Sequence, residues 1–543
     1  MNFNKKLAVA VSGAVLLMAG QFALADSATD IVDALVSKGV LTEEEGKLIT
    51  KGHTSKTAVT PVVKEKDGAF ILESANARNS IQLTGRMHLD YRHNNMDIYS
   101  TDFNDRDSAS VADGWELRRA RLGVKGVLAK DFKYEIVGNL PGTATVDVAY
   151  LDFAKYKEMQ IRMGKFKQPF NLEELTSSNN IDFMERSYVN QLAPAKKIGA
   201  MIFGEPKDGF TYALSTFSMN DSELDSKNDK ASFAGRSTLN FAQLMGNKEA
   251  VMHVGIAGFD AEYNVTPTTS SGSAAAESRA NILAFRTPGR GLSSIFRAQI
   301  GGDLINNAAT STSTSTSTSS GGTTTTTSTS TTTTATQQGA ISNSTSQVKS
   351  NAAGLEGAIA LKNFKLQGEY TRANYSGSYN NRAEALDMDV KAMYGEVMWL
   401  VTGEKYADAY KAGTFGAIKP ISNFDLDTNQ WGAWEVGFRM EKFDVNDIAA
   451  TLASTTNGTR AQGTATCTTA SATATSSSSN INGCSSKSTT YTAGVKWILN
   501  PNLMVKFNYS RTNFGNEWEY YDLNDSQRLN KENIYMMRTQ YAF

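Results

Sequence analysis

The strongest constraint on the fold of this chain is a two-residue alternation of apolar and polar side chains that recurs along most of its length. In the segment 80–93, for example, Ile81 and Leu83 point to one side of an extended strand, whereas Arg86 and His88 point to the other. A soluble β-sandwich gives the same pattern. The alternation alone therefore predicts sheets with one apolar and one polar face.

The connections between these segments narrow the choice of fold. Sixteen segments alternate, and they are 80–93, 115–128, 131–140, 145–155, 158–167, 197–204, 208–219, 233–243, 249–263, 351–361, 363–373, 388–403, 430–445, 488–499, 502–514 and 533–543. Short connections alternate with long ones, which include 94–114, 168–196, 264–350 and 446–487. An even strand number with tight turns on one side and long loops on the other is typical of outer-membrane barrels. We therefore predict an all-β fold, a 16-stranded antiparallel transmembrane β-barrel over residues 80–543.

Three further features bear on this fold. A candidate strand at 293–301 would make the number odd, so we assign it to a long loop. Because successive connections alternate between the two sides of the membrane, the stretch 404–429 is expected on the periplasmic side, although it is long for a periplasmic turn. The last segment alternates and ends on Phe543, and a terminal aromatic residue is typical of outer-membrane barrels.

The N-terminal region follows other patterns. Residues 1–25 combine a charged start, an apolar stretch and a small-residue site, which predicts a signal peptide cleaved before Asp26. We expect residues 26–79 to form a short periplasmic helical segment and a linker. Thr42, three residues before Glu45, predicts a capping box at the start of a helix. Helices this short need a packing partner, within the chain or from a second chain.

Two long loops, 264–350 and 446–487, contain low-complexity sequence dominated by Ser and Thr. Such sequence buries too little apolar surface to offset the entropy of ordering it, so we expect no regular structure there. Both cysteines of the chain, Cys467 and Cys484, lie in or beside the second loop. In an oxidising compartment they are expected to form a disulfide, and two free thiols are the alternative.

Composition argues against several classes of function. Lys and Arg total 54 against 55 for Asp and Glu, so no basic excess points to a nucleic-acid partner. The four histidines lack a surrounding signature for a nucleophile and its base, so we do not expect an enzyme. Two cysteines without a neighbouring histidine make a poor zinc site, and we expect no metal or cofactor.

The polar faces of the first strands suggest what the lumen carries. If the apolar faces meet lipid, Arg86, Arg119, Arg121 and Lys133 line the interior. Sixteen strands enclose a water-filled channel, and a row of basic residues along it favours anions. Strict alternation places Arg118 on the lipid side, near the extracellular rim. In a second interpretation the arginines pair with lumenal acids and only shape the pore, and the pattern leaves both open.

Several short motifs occur in a fixed order along the chain. They are Gly85-Arg86, Glu116-Leu117-Arg118-Arg119-Ala120-Arg121-Leu122, Phe132-Lys133-Tyr134, Gly164-Lys165-Phe166-Lys167-Gln168-Pro169-Phe170, Leu172-Glu173-Glu174-Leu175-Thr176-Ser177-Ser178, Gly432-Ala433-Trp434-Glu435-Val436 and Arg538-Thr539-Gln540-Tyr541-Ala542-Phe543. Together they resemble the phosphate-selective porin O/P family, over most of the chain from Ile81 to Phe543. The resemblance implies a homotrimeric porin in outer-membrane lipid, with some loops folded into the barrel.

The resemblance also implies an anion site. In phosphate-selective members, arginines of the first two strands, an aspartate of the fourth, and a lysine and serines of the third extracellular loop bind the anion. By motif these positions fall on Arg86, Arg119 with Arg118 beside it, Asp147, Ser177 and Ser178, and the lysine position falls on Glu174. Replacing a cation by an anion there changes the local charge by two units. With the lumenal Arg121 and Lys133, these residues are our candidate substrate-binding set.

The sequence therefore predicts a diffusion porin for small hydrophilic solutes, in particular inorganic or organic anions such as phosphate. Because of Glu174, a weakly selective or cation-preferring general porin is one alternative. A surface adhesin or receptor barrel that displays the Ser/Thr-rich loops is another.

Overall fold

Sixteen strands close into an antiparallel barrel in the described part of the chain, which confirms the predicted fold class. The computed structural model describes residues 27–49, 60–66, 69–94, 98–99, 113–219, 230–265, 268–269, 278–290, 295–300, 306–311, 317–319, 322–324, 332–337, 346–379, 384–451, 487–515, 521–522 and 530–543. The barrel strands are β1 Ser80–Asn94, β2 Gly114–Leu128, β3 Phe132–Asn139, β4 Thr145–Phe153, β5 Gln160–Lys167, β6 Lys196–Lys207, β7 Phe210–Phe217, β8 Ser232–Asn240, β9 Ala250–Val265, β10 Ser346–Leu361, β11 Phe364–Tyr379, β12 Glu384–Leu400, β13 Ala433–Thr451, β14 Lys487–Ile498, β15 Leu503–Phe514 and β16 Lys531–Ala542.

The sheet closes where the last strand meets the first. Met537 of β16 lies opposite Tyr91 of β1 in an antiparallel ladder. Beyond that ladder, Gly85 and Phe543 exchange two backbone hydrogen bonds of 2.9 and 3.1 Å. Closure satisfies the backbone donors and acceptors of both edge strands, as a bilayer requires.

The barrel presents apolar side chains outside and charged side chains inside. In β12 the side chain of Val397 is 48% exposed, whereas the adjacent Glu396 is 3% exposed. Near the short turns, the outward rings of Phe364 and Trp399 stack with centroids 5.6 Å apart. An outer apolar band bordered by aromatic side chains is the surface that a barrel presents to lipid.

The smaller of two compact units comprises the described residues up to 82 and residues 126–131. Helix α1 spans Ser27–Ser37, and a second helix covers 43–49. The predicted capping box is present, because the backbone N–H of Thr42 donates to the Glu45 carboxylate at 2.9 Å and the Glu45 N–H donates back to the Thr42 hydroxyl at 3.3 Å. Among the described residues, no helix has the length and apolar run that crossing a bilayer requires.

The predicted linker contains a β-hairpin that we did not expect. Val62–Lys66 pairs with Ala69–Glu73. The Asp67-Gly68 sequence between the two strands is a strong hairpin signal, and Val, Ile and Phe favour strands. The predicted signal peptide, residues 1–25, lies outside the described residues, as does the predicted Cys467–Cys484 disulfide.

The long connection after β9 contains strands that do not join the barrel. Phe296–Ile300 pairs with Ser278–Phe285 in a separate small sheet, which agrees with assigning 293–301 to the loop. In the Ser/Thr-rich sequence, Asn306–Ser311 pairs with Thr332–Gln337, so the expectation of no regular structure is wrong there. Ladder hydrogen bonds satisfy the backbone without apolar burial, and Thr has a high β-propensity.

The position of the apolar band predicts how arginine substitutions will affect stability. Ile256 lies on the outer face near the middle of the apolar band, and Ile359 lies on the same face close to a short turn. Ile256→Arg should lower the free energy of unfolding by about 2–4 kcal/mol, and Ile359→Arg by about 0–1 kcal/mol. Denaturant titrations of the barrel in lipid vesicles measure both values. Equal losses for the two variants would contradict this placement of the band.

Candidate functional site

The connection between β5 and β6, residues 168–195, lies inside the barrel, and we call it the inner loop. Its side chains Phe170, Leu172 and Tyr188 are fully buried. The hydroxyl of Tyr188 lies 2.9 Å from the hydroxyl of Thr490, which belongs to the lumenal face of β14 on the far wall. The inner loop therefore crosses the lumen instead of extending into solvent.

Basic side chains of the far wall hold the inner loop in place. Lys506 donates to the carbonyl of Ile181 at 2.6 Å, and Lys365 pairs with Asp182 at 2.6 Å. These lysines belong to β15 and β11 and are buried. The inner loop therefore covers these charges and occupies this side of the lumen.

Arg439 and Glu173 provide a second attachment to the far wall. Nη1 of Arg439 lies 3.1 Å from the Glu173 carboxylate, which also accepts the backbone N–H of Ser187 at 2.9 Å. The carboxylate of Glu369 accepts the N–H groups of Leu172 and Glu173 at 2.9 and 2.7 Å, at the first turn of the short helix Leu172–Leu175. These hydrogen bonds hold Leu172, Glu173 and Ser187 of the loop in place.

Glu185 of the inner loop lies at the centre of a group of arginines. Its carboxylate is 2.9 Å from Arg118, 3.0 Å from Arg538, 3.2 Å from Arg92 and 4.0 Å from Arg119. Burial alone would raise the pKa of Glu185, but Arg118 and Arg119 outweigh it and hold the pKa well below its usual value. The carboxylate is therefore charged at neutral pH. We call these five residues the Glu185 cluster.

A second group of basic residues lines the other side of the lumen, opposite the wall that holds the inner loop. Nη1 of Arg86 donates to the hydroxyl of Ser178 at 2.8 Å. Arg121 lies 2.9 Å from the carboxylate of Asp147, which Lys196 also contacts. We call Arg86, Arg121, Asp147, Ser178 and Lys196 the Arg86 site. It brings together strands β1, β2, β4 and β6 with the inner loop.

Asp147 and Ser178 thus lie beside Arg121 and Arg86, whereas two other candidates lie apart. The backbone N–H of Asn179 donates to the Ser177 hydroxyl at 3.4 Å, a contact within the loop. Lys133 is exposed at the beginning of β3, beside the periplasmic turn. Its ladder partner Asp152 binds Arg162 at 2.7 Å. The structure therefore places Lys133 at the periplasmic mouth.

The expectation that Arg118 faces lipid is wrong. Arg118 reaches the lumenal Glu185, as does Arg119. Two residues earlier, Glu116 lies 2.5 Å from Arg92, which puts Glu116 and Arg118 on the inner face. Arg119 would then point outward under strict alternation, so the alternation breaks between the two arginines. Such an irregularity places consecutive side chains on one face and cannot be detected by counting alternate residues.

Glu174 is surrounded by cations that sequence reasoning overlooked. The ammonium of Lys167 donates to the backbone carbonyls of Glu174 and Thr176. Arg186 lies 3.9 Å from the Glu174 carboxylate and donates to the Thr176 carbonyl at 2.7 Å. A positive charge beside position 174 is thus supplied by Arg186, and Lys167 binds the loop backbone at the same place. Lys167 and Lys196 flank the inner loop in sequence, which was the available signal.

The long periplasmic connection also enters the lumen. Its residues 401–432 contain the helix Tyr406–Ala409, and the Tyr406 hydroxyl donates to Glu435 at 2.6 Å. The Tyr410 hydroxyl lies 2.7 Å from Nδ1 of His253 in β9. Arg236 of β8 donates to the carbonyl of Gly413 at 2.8 Å. Its inward course explains why this connection is longer than the other periplasmic turns.

Comparison with known proteins places these features in a family. Porin O of Pseudomonas aeruginosa is 25% identical over 416 residues, which cover 74% of this chain and 81% of the relative. Among solved structures, OmpT of Vibrio cholerae gives a TM-score of 0.43 at 9% identity, covering 89% of this chain and 100% of that chain. An anion-selective porin from Comamonas acidovorans gives 0.42 at 10% identity, covering 86% and 100%. The fold assignment rests on the strand pairing and not on these scores.

A sequence model of one family matches residues 81–277 and 302–543. These ranges include β1 to β9, the inner loop and β10 to β16. They therefore include the Glu185 cluster and the Arg86 site. The match confirms the family suggested by the motifs and identifies a channel and not an enzyme. The chain belongs to the phosphate-selective porin O and P family of outer-membrane porins.

Proposed function

We propose that this porin passes small anions, phosphate among them, along the wall that carries the Arg86 site. The observation that carries the proposal is the charge of this wall. Among the described residues, the cations Arg86, Arg121, Arg186 and Lys196 face the carboxylates of Glu135, Asp147 and Glu174. The local excess of positive charge attracts anions and repels cations.

Accessibility supports this route. The side chains of Arg121 and Lys196 are 16% and 19% exposed, so water reaches them. On the far wall, Lys506 and Arg439 are buried under the inner loop. Ions therefore pass between the inner loop and strands β1 to β6, where the open cations lie.

Phosphate is a suitable solute for the geometry of the site. Arg86 and Ser178 present a guanidinium and a hydroxyl 2.8 Å apart, and both are donors to phosphate oxygens. The family name and the relative Porin O agree with an oxyanion. A weakly selective general porin is the alternative, because the carboxylates of Asp147 and Glu174 lie among the same cations.

We further propose that the chain is exported by a signal peptide cleaved before Asp26 and that residues 26–79 remain in the periplasm. The barrel is proposed to assemble as a homotrimer in outer-membrane lipid. Support for lipid contact comes from its outer apolar band, and the trimer is inferred from the family. In the oxidising periplasm, Cys467 and Cys484 are proposed to form a disulfide.

Removing the charge of Arg86 should weaken anion preference. Arg86→Gln should lower the ratio of chloride to potassium permeability by about tenfold, because one charge at a partly desolvated site is worth about 1–4 kcal/mol to a nearby ion. The reversal potential of the purified porin across a planar bilayer in a KCl gradient measures this ratio. Lys133→Gln at the periplasmic mouth is the matched control and should cause a smaller change. An equal change in both variants would argue against the Arg86 site.

Position 174 should control phosphate affinity. Glu174→Lys should lower the phosphate concentration that half-blocks KCl conductance by about tenfold or more, and Glu174→Gln should have an intermediate effect, because the local charge rises by two units and by one. Titration of phosphate against single-channel KCl currents measures the block. If half-block occurs at the same concentration in both variants and the wild type, Glu174 does not act on the permeating anion.

A further inference from the structure

We propose that Glu185 is a built-in counter-anion that sets the selectivity of the channel by pairing with Arg118 and Arg119 and offsetting one of their positive charges. The inference rests on the proposed anion-passing function and names a residue that determines its strength. Glu185 is not among the positions that the motifs suggested. With its charge in place, the two arginines bind the loop and not a permeating ion.

The pairing of the arginines supports this role. Arg538 and Arg92 each also contact Asp90, at 2.6 and 2.7 Å, so both keep a carboxylate without Glu185. Among the described residues, Glu185 is the carboxylate within ion-pair distance of Arg118 and Arg119. Arg118 and Arg119 therefore depend on Glu185 for their ion pairs.

The position of Arg118 makes its charge relevant to ions. Its side chain is 23% exposed, whereas Arg538 and Arg92 are buried. Arg290, in the connection after β9, also acts on the Glu185 carboxylate, and Glu116 lies beside Arg92. Counting these neighbours, five cations face three carboxylates in the described residues around Glu185. Loss of the Glu185 charge would raise the excess from two positive charges to three, at a place that water reaches.

Glu185 can lose its charge without releasing the inner loop. Its backbone carbonyl accepts a hydrogen bond from Arg439 at 3.1 Å, and the carbonyl of Met184 accepts one from Arg538. Further along, Asp182 pairs with Lys365. None of these contacts uses the Glu185 carboxylate. Gln at position 185 has nearly the same shape, so its effect reports charge and not a displaced loop.

A channel needs binding that is strong enough to admit an ion and weak enough to release it. If Arg118 and Arg119 were free, they would add a second anion site above the Arg86 site, nearer to the extracellular end of β1 and β2. Glu185 occupies that site with a carboxylate that belongs to the protein. The Glu185 carboxylate thereby reduces anion selectivity and allows anions to pass faster.

A double-mutant cycle tests the proposal in the full-length porin. Reversal potentials in a KCl gradient are measured for wild type, Glu185→Gln, Arg118→Gln and the double variant. Glu185→Gln should raise the ratio of chloride to potassium permeability about tenfold and strengthen block by phosphate. The double variant has the same formal charge as the wild type, so its ratio of chloride to potassium permeability should be close to the wild-type value. Glu116→Gln removes an equal charge at a more exposed position and should have a smaller effect.

The outcomes separate the possibilities. An unchanged ratio in a folded Glu185→Gln barrel, verified by heat-modifiable migration on gels, would overturn the proposal. So would a double variant that keeps the raised ratio. If Glu185→Gln does not fold, the single variant Arg118→Gln provides the test. Arg118→Gln should lower the ratio of chloride to potassium permeability less than Arg86→Gln does. An equal decrease in the two variants would overturn the proposal. A cation-preferring wild type with a shift toward anions in Glu185→Gln would contradict the proposed function and leave this inference intact.

Discussion

The pairing of Asp90 with Arg538 connects the closure of the barrel to the placement of the loop inside its pore. The two residues are ladder partners across the seam between β1 and β16, their side chains are joined by hydrogen bonds of 2.6 and 2.7 Å, and both are buried. Arg538 also binds the inner loop through Glu185 and the carbonyl of Met184. Closing the sheet and placing the loop are therefore coupled. Without closure the strand edges would be unpaired in lipid, and without the loop the lumen would be wide and undivided.

The lumen contains many charges, and their pairing decides which of them act on ions. On the far wall, Lys365, Arg439 and Lys506 hold the inner loop and are buried. On the opposite wall, the partly exposed cations Arg86, Arg121, Arg186 and Lys196 outnumber the nearby carboxylates of Glu135, Asp147 and Glu174. The same residue types thus act as anchors on one side and, in the function we propose, as a path for anions on the other. Selectivity follows from which charges remain uncompensated, and the total number of arginines does not determine it.

Sequence reasoning predicted the strands well because lipid and water impose the alternation residue by residue. Each of the sixteen barrel strands overlaps its predicted segment, although β11 and β13 extend to Tyr379 and Thr451 instead of 373 and 445. Arg86, Arg121 and Asp147 lie together in the lumen. The inward turn of Arg118 was missed because one irregularity shifts the pattern locally. Contacts made far apart in sequence, such as Glu185 with Arg538, depend on the course of the inner loop, which periodicity does not describe.

The central claim is that uncompensated cations beside the inner loop select anions. The most direct test is the reversal potential of the wild-type porin in a planar bilayer under a KCl gradient. The structure predicts a reversal potential on the chloride side of zero, with the preference reduced at high salt because mobile ions screen the partly exposed cations. A reversal potential on the potassium side would contradict the claim, since the carboxylates of Glu174, Asp147 and Glu185 would then dominate the pore.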